Sequence, residues 1–416
     1  MVGQLRINEN RLWDRLDELA QIGAIAGTLG NSRLALTKED GLARDLVISW
    51  MKQLEMEVSI DAIGNVVGLW CGQKTERSLP PVMTGSHIDT VRSGGRFDGN
   101  LGVLAGLEAI QIIKEHDIST KHPIAVSFFT GEEGSRFAPD MLGSLVYVGG
   151  LDLETALSTI SVDGKRLGSE LDDIGYRGTA PCPGTTPKIF LELHIEQGPI
   201  LESEGIDIGA VENVQGISWT ELTIQGQSNH AGTTPMEMRR DAGYVAARIS
   251  TFVREISNEM GGTQVGTVGK IDLVPNLVNV VSSKASMTVD LRNTSELMLR
   301  EAENRLANFC EDIASQEGVE ISQKSLARFE PVEFNQQLVD QVFATAQSLG
   351  YSTNRMTSGA GHDAQMLSRV CPAAMIFVPS KEGLSHNPAE FTSLEEVSAG
   401  ANVLLHLMVD AAEECR

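Results

Sequence analysis

Apolar residues recur along this chain in two rhythms, one helical and one extended, that alternate almost from end to end. Residues 7–28 and 41–55 carry the helical rhythm, and in the second stretch Val47, Trp50, Met51 and Leu54 fall at i, i+3, i+4 and i+7. Thr37 followed by Asp40 resembles a capping box ahead of it. An apolar strand then ends in Val82-Met83-Thr84-Gly85, a helix runs through Leu101, Leu104, Leu107 and Ile110, and a second strand covers 124–129. Strand, helix and strand in that order predict a right-handed crossover and a parallel sheet. Two more runs, Ile189-Phe190-Leu191 and Ala374-Met375-Ile376-Phe377-Val378, have the length and bulk of buried strands.

Between those two runs the rhythm is self-contained: strand 218–225, helix 235–259, strands 264–273 and 284–291, helix 295–315 and strand 319–327. That β-α-β-β-α-β order is the ferredoxin-like plan. Thr234, Pro235 and Glu237 would open its first helix, by a capping box and a proline at the first helical position. The pattern therefore predicts an α/β domain, residues 1–212 and 331–416, interrupted by an α+β domain at 213–330. A chain of 416 residues exceeds what one hydrophobic core serves, which also favours two domains. The stretch 160–188, rich in Gly, Pro and polar residues, reads as a surface excursion.

Composition narrows the function classes. With 41% hydrophobic and 21% charged residues the chain is an ordinary globular one. A net charge of -23 repels polyanions and argues against nucleic acid and anionic lipid as partners. The N-terminal sequence lacks the basic start and apolar run of a secretory signal, and no stretch reaches the roughly 18–20 apolar residues of a membrane span. The five cysteines, Cys71, Cys182, Cys310, Cys371 and Cys415, are scattered and never form a C-x-x-C pair. Buried or incidental thiols in a reducing cytoplasm are the expectation.

The candidate chemistry sits where predicted strands end, the position at which open α/β sheets bind their ligands. Gly85-Ser86-His87-Ile88-Asp89 leads into Gly94-Gly95-Arg96-Phe97-Asp98-Gly99. His87 offers an imidazole to a divalent cation. Asp89, on the same side of an extended chain, could orient that ring, and Asp98 could bridge two cations through its two oxygens. Thr130-Gly131-Glu132-Glu133-Gly134 follows the next strand, and adjacent glutamates in such a turn point apart, so one can bind metal while the other faces the substrate water. Two more strand ends bring His194 and His386. Each piece alone has a bland reading, a solvated loop histidine or a hydrated Glu-Glu pair; four strand ends each offering a ligand type argue jointly for a metal site. Of the eight histidines, His116, His122 and His406 lack such a setting and read as structural or exposed.

Seven segments, GSHIDTVRSGGRFDGN, TGEEGSRF, LELHIEQGPILE, SNHAGTTPM, VPNLVNVV, SGAGHDAQ and SHNPAE, resemble in order and spacing the hydantoinase/carbamoylase amidases of the dinuclear-metal aminoacylase and peptidase superfamily. The resemblance implies two divalent ions per subunit (Zn, Mn, Co or Ni), with His87 and His194 on one, Glu133 and His386 on the other, and Asp98 bridging. It implies Glu132 as the base and His230, Asn279 and Arg292 as substrate residues acting from the inserted domain across a homodimer, with His230 at the developing oxyanion. Gln197 and Gly361 are implied to contact the substrate from a mixed-sheet α/β catalytic domain, and the inserted dimerisation domain to close over the site. A histidine at 194, where peptidase relatives place a carboxylate, favours a ureido substrate. The expected reaction is hydrolysis of N-carbamoyl-L-amino acids to amino acid, ammonia and carbon dioxide; the alternatives are allantoate or N-carbamoyl-β-alanine and, further off, N-acyl amino acids or dipeptides.

Overall fold

The computed structural model describes residues 5–413; Cys415 lies outside them. Two compact units emerge, one running to Glu212 and resuming at Glu333, the other Asn213–Val332. The first opens with α1 (Glu9–Ala20), α2 (Lys38–Gln53), β1 (Glu57–Ile60), β2 (Val66–Trp70), β3 (Val82–His87), α3 (Asn100–Glu115) and β4 (Ile124–Phe129). It continues through α4 (Leu142–Tyr147), α5 (Leu153–Leu157), α6 (Leu167–Asp173), β5 (Ile189–Ile195), α7 (Ile200–Glu204) and β6 (Ile208–Val214). The second holds β7 (Gly216–Gln225), α8 (Ala242–Met260), β8 (Val265–Val274), β9 (Lys284–Asn293), α9 (Glu296–Glu317) and β10 (Glu320–Phe329). β11 (Val332–Glu333), α10 (Gln336–Ser348), β12 (Thr353–Ser358), α11 (Asp363–Leu367), β13 (Ala373–Val378) and α12 (Leu394–Ala412) complete the chain.

In the first unit the sheet order is β1-β2-β4-β3-β5-β13-β6-β11, with β12 beside β6. Its centre, β4-β3-β5-β13, is parallel, whereas β2 and β6 flank it antiparallel. Every residue of those four central strands is buried, because helices cover both faces and leave no polar side to alternate with. That is why their amino-terminal parts and β13 read as apolar runs, polar residues such as His87, Glu192 and His194 entering toward the carboxyl ends of β3 and β5. α3 packs on this sheet beneath α1 and α12, so nearly its whole circumference is buried.

Three local expectations fail, each for a readable reason. The helix expected over 7–28 stops at Ala20, and the following chain turns at Gly23 and Gly27, both at positive φ, before Ala24 bridges to Asn31. The Thr37/Asp40 box is half formed: Thr37 accepts the Asp40 N–H, but the Asp40 carboxylate takes the Leu36 N–H and pairs with Arg44. In the second unit Pro235 opens only a short 3-10 turn, Met236–Met238, after which Arg239 is extended. α8 starts later, capped by Asp241, which accepts from the N–H groups of Gly243 and Tyr244.

The second unit is a four-stranded antiparallel sheet in the order β10-β7-β9-β8 with α8 and α9 packed together and against its strands. Its own core joins Leu222, Ile224, Val245, Ile249, Met287, Val289 and Leu306. β8 is an edge strand, and Val265, Ile271 and Val274 on it are exposed.

Candidate metal centre

The sequence-predicted ligands converge at the carboxyl ends of the four parallel strands. His87 ends β3, Glu132 and Glu133 follow β4, His194 sits one residue from the end of β5, and His386 lies in the loop after β13. Asp98 lies just before α3. Its Oδ1 lies 3.2 Å from His194 Nε2 and 3.6 Å from His87 Nε2, while Oδ2 lies 3.6 Å from His386 Nε2. Glu133 Oε2 is 3.1 Å from that same His386 nitrogen. Two of the three groups of side chains placed to hold a cation among the described residues, the triads His87/Asp98/His194 and Asp98/Glu133/His386, share one carboxylate; the third is Glu192/His194/His362. Glu132 stands beside the first, its Oε2 3.4 Å from His87 Nε2.

Backbone carbonyls set the tautomers. His87 Nδ1 donates to the Asp89 carbonyl and His194 Nδ1 to the Ile195 carbonyl, both at 2.9 Å, which leaves Nε2 of each ring to face Asp98. Here the structure corrects the expectation for Asp89. Its carboxylate stays 3.9 Å from the His87 ring and accepts instead the N–H groups of Glu132 (3.3 Å) and Glu133 (3.4 Å). Asp89 thus anchors the glutamate turn from the neighbouring strand end. That turn is also tied at its start, where Arg44 donates to Thr130 Oγ1, and beyond its end, where Arg136 pairs with Asp163 and Glu170. The expected surface excursion therefore contains α6 and a polar brace for the turn, with Leu167, Leu171 and Tyr176 buried beneath it.

The donor set fits divalent cations. Burial opposes charge on His87, yet Glu132, Asp98, Asp89 and Glu133 together raise its pKa well above the ordinary range. The Glu133 carboxylate raises His386 to about 9 against its desolvation. Burial lifts Glu132 well above the usual carboxylate range, reinforced by Asp363, Glu133 and Asp89 and opposed by His87; it also lifts Asp89 to about 6. Raised imidazoles beside the raised Glu132 and Asp89 mean surplus negative charge, while Asp98, against its burial, is held well below the usual carboxylate range by His194 and His87; cations would neutralise that surplus. Imidazole nitrogens and carboxylate oxygens without a thiolate are the ligand chemistry of Zn, Mn, Co and Ni.

The remaining candidates divide between the two units. Gln197 donates through Nε2 to Asp98 Oδ2 (2.8 Å), leaving its buried Oε1 without a hydrogen-bond partner. Gly361 packs so closely that a Cβ there would lie 2.6 Å from Met141 Cε. In the second unit His230 and Asn279 are exposed on paired segments, Ala231 N–H donating to the Asn279 carbonyl. Arg292, on β9, is held by the Asp290 carboxylate at 2.9 Å. The sequence reading assigned nothing to Ser385 or Glu390, although both lie in the SHNPAE segment; Ser385 donates to Asp98 Oδ2 and Glu390 accepts the Asp98 N–H.

A parallel-centred α/β sheet with an inserted α+β unit and a His/carboxylate cluster at its strand ends defines a hydrolase of the metallopeptidase class. Residues 83–410 match the family model described as Peptidase family M20/M25/M40. An N-carbamoyl-L-amino-acid amidohydrolase of Rhizobium meliloti is 42% identical, covering 98% of this chain and 97% of its own. One from Geobacillus stearothermophilus is 38% identical over 98% and 99%. A solved amidase of the hydantoinase/carbamoylase family from Burkholderia vietnamiensis is 43% identical with a TM-score of 0.92, covering 99% of both chains. The chain belongs to the M20/M25/M40 peptidase family and, within it, to the hydantoinase/carbamoylase amidases.

Proposed function

We propose that this protein hydrolyses the ureido C–N bond of N-carbamoyl-L-amino acids, releasing amino acid, ammonia and carbon dioxide. The observation that carries the reading is the pair of triads sharing Asp98, with Glu132 beside the first and a member of neither. His87, His194 and Asp98 Oδ1 would hold one cation; Glu133, His386 and Asp98 Oδ2 the other. When bound, such ions polarise a carbonyl and make water more acidic, which an electron-rich ureido carbon requires. Glu132 takes the proton of the attacking water and returns it to the departing nitrogen. Its placement suits that task, since Asp89 holds its N–H and burial keeps bulk water away.

Recognition falls to neutral and cationic donors. The unpartnered Oε1 of Gln197 is available to a ureido N–H. From the inserted unit, Arg292 would grip the substrate carboxylate bidentately with Asn279 adding neutral donors, and His230 would donate to the developing oxyanion. We place these three in the neighbouring subunit's site, within a homodimer. The unpaired edge β8 and the exposed Leu277, Val278, Met236 and Met238 supply an apolar surface for such pairing. A cytoplasmic setting is consistent with the free thiols of Cys71, Cys182, Cys310 and Cys371. No helix among the described residues is long and apolar enough to cross a membrane.

The deciding experiment measures ammonia release by metal-reconstituted protein from a panel of N-carbamoyl-L-amino acids, allantoate and N-carbamoyl-β-alanine, with N-acetyl amino acids and dipeptides alongside. Highest kcat/KM on an N-carbamoyl-L-amino acid is expected. Preference for allantoate, N-carbamoyl-β-alanine, an acetyl substrate or a dipeptide would overturn the assignment.

A further inference from the structure

We propose that Glu390 is a positioning residue that sets the carboxylate of Asp98 between the two triads. The inference rests on the two-cation reading of Asp98 above. Glu390 lies four residues beyond His386, 1% exposed, at the end of a tight turn in which its own N–H donates to the Asn387 carbonyl (3.0 Å). Its Oε1 accepts two consecutive backbone N–H groups, from Phe97 (2.9 Å) and Asp98 (3.2 Å). Its Oε2 lies 3.3 Å from Ser385 Oγ, whose single proton goes to Asp98 Oδ2 at 2.9 Å. Glu390 therefore grips the backbone of Asp98 directly and packs against the hydroxyl that donates to the Asp98 carboxylate.

The surroundings are shaped for this grip. A Cβ on Gly95 would lie 2.0 Å from Glu390 Oε1, so the absence of a side chain at Gly95 makes room for the carboxylate. Phe391 meets Phe97 edge to face at 6.0 Å and Trp13 at 6.4 Å, an apolar cover over the same backbone. Gln197 adds the second donor to Asp98 Oδ2, at 2.8 Å. The grip joins segments 292 residues apart, one bearing the shared ligand and the other bearing His386.

The physical consequence concerns both triads at once. Metal–ligand distances tolerate about 0.2 Å, and Asp98 serves two sets of partners with its two oxygens. A rotation that improves one set spoils the other. A side chain that fixes the Asp98 backbone, with a hydroxyl fixing the carboxylate plane, removes that freedom before any cation arrives. Outer partners of metal ligands characteristically contribute about 10–100-fold in metal affinity.

The test is calorimetric titration of the metal-free full-length protein with Mn2+ and with Zn2+, alongside far-UV circular dichroism. Glu390→Ala is expected to bind at least one cation about 10–100-fold more weakly, with an unchanged spectrum. Glu390→Asp, which retracts the acceptor by one methylene and keeps the charge, should weaken binding too, and serves if the alanine variant does not fold. Glu390→Gln keeps an acceptor oxygen at the same reach and should stay within about threefold of wild type. Raising the metal concentration should restore kcat for ammonia release in the Ala and Asp variants, because the reacting groups are intact. Wild-type affinity in a folded Ala or Asp variant would overturn the inference, as would a Gln variant as weak as Ala. Wild-type protein that takes up fewer than two cations would instead defeat the two-cation reading itself.

Discussion

At the residue scale the site is governed by who accepts which hydrogen. Glu132 is held by its own N–H on Asp89, so its side chain can change without moving the turn. Glu132→Gln should therefore leave metal content unchanged while kcat falls by about 10²–10⁴-fold, the usual range for losing a general base; elemental analysis beside steady-state kinetics checks it, and near-normal kcat would remove Glu132 as the base. His194→Ala should lose both metal and turnover, since its Nε2 faces the shared carboxylate at 3.2 Å. A third residue acts through the absence of a side chain. Gly99 has φ +66 and a Cβ there would lie 2.4 Å from the His87 ring, so Gly99→Ala is expected to displace that ring and weaken metal binding. Unchanged metal affinity in a folded Gly99→Ala protein would contradict that packing.

Between elements, long side chains fasten the glutamate turn to its scaffold. Arg44 on α2 pairs with Asp40 (2.9 Å), and its other nitrogens reach the Gly64 carbonyl and Thr130 Oγ1, all with negligible exposure. Removing one partner leaves a buried charge unpaired. Arg44→Met should cost about 3–5 kcal/mol in stability, read as a lowered denaturant midpoint with little change in its slope. How much of these elements could be read in advance varied with their surroundings. The central strands declared themselves because burial on both faces favours apolar residues at successive positions, as in β13 and, apart from Ser127, β4. β12, with mostly half-buried residues, carries no such mark. The false start at Thr234-Pro235 shows local capping chemistry satisfied by a 3-10 turn while Asp241 starts the true helix.

For the whole molecule, the proposal that His230 acts across a homodimer has a quantitative consequence. Glu132→Gln and His230→Ala proteins should each be nearly inactive, yet mixing them under subunit exchange should recover about a quarter of wild-type activity. Half the dimers are then mixed, and one site in each has both residues, given a two-fold symmetric pair. Recovery of nothing, with exchange shown by tagged subunits, would place His230 in its own subunit's site. Val278→Asp tests the surface itself: a fully exposed valine replaced by a charge should shift the protein toward monomer in light scattering if that patch pairs two copies.

The amino-acid order alone determined the alternation of elements, the presence of an interrupting α+β unit and the residue types that end each central strand, because these follow from local periodicity and from the few side chains able to bind a cation. It could not determine that Asp98 turns one oxygen to His87 and His194 and the other to His386, or that Asp89 serves the glutamate turn rather than the histidine ring. Nor could it determine that Glu390 accepts the Asp98 N–H. Those choices join segments tens to hundreds of residues apart, and a hydrogen bond of about 3 Å is set by how the strands stack and the helices pack, not by spacing along the chain.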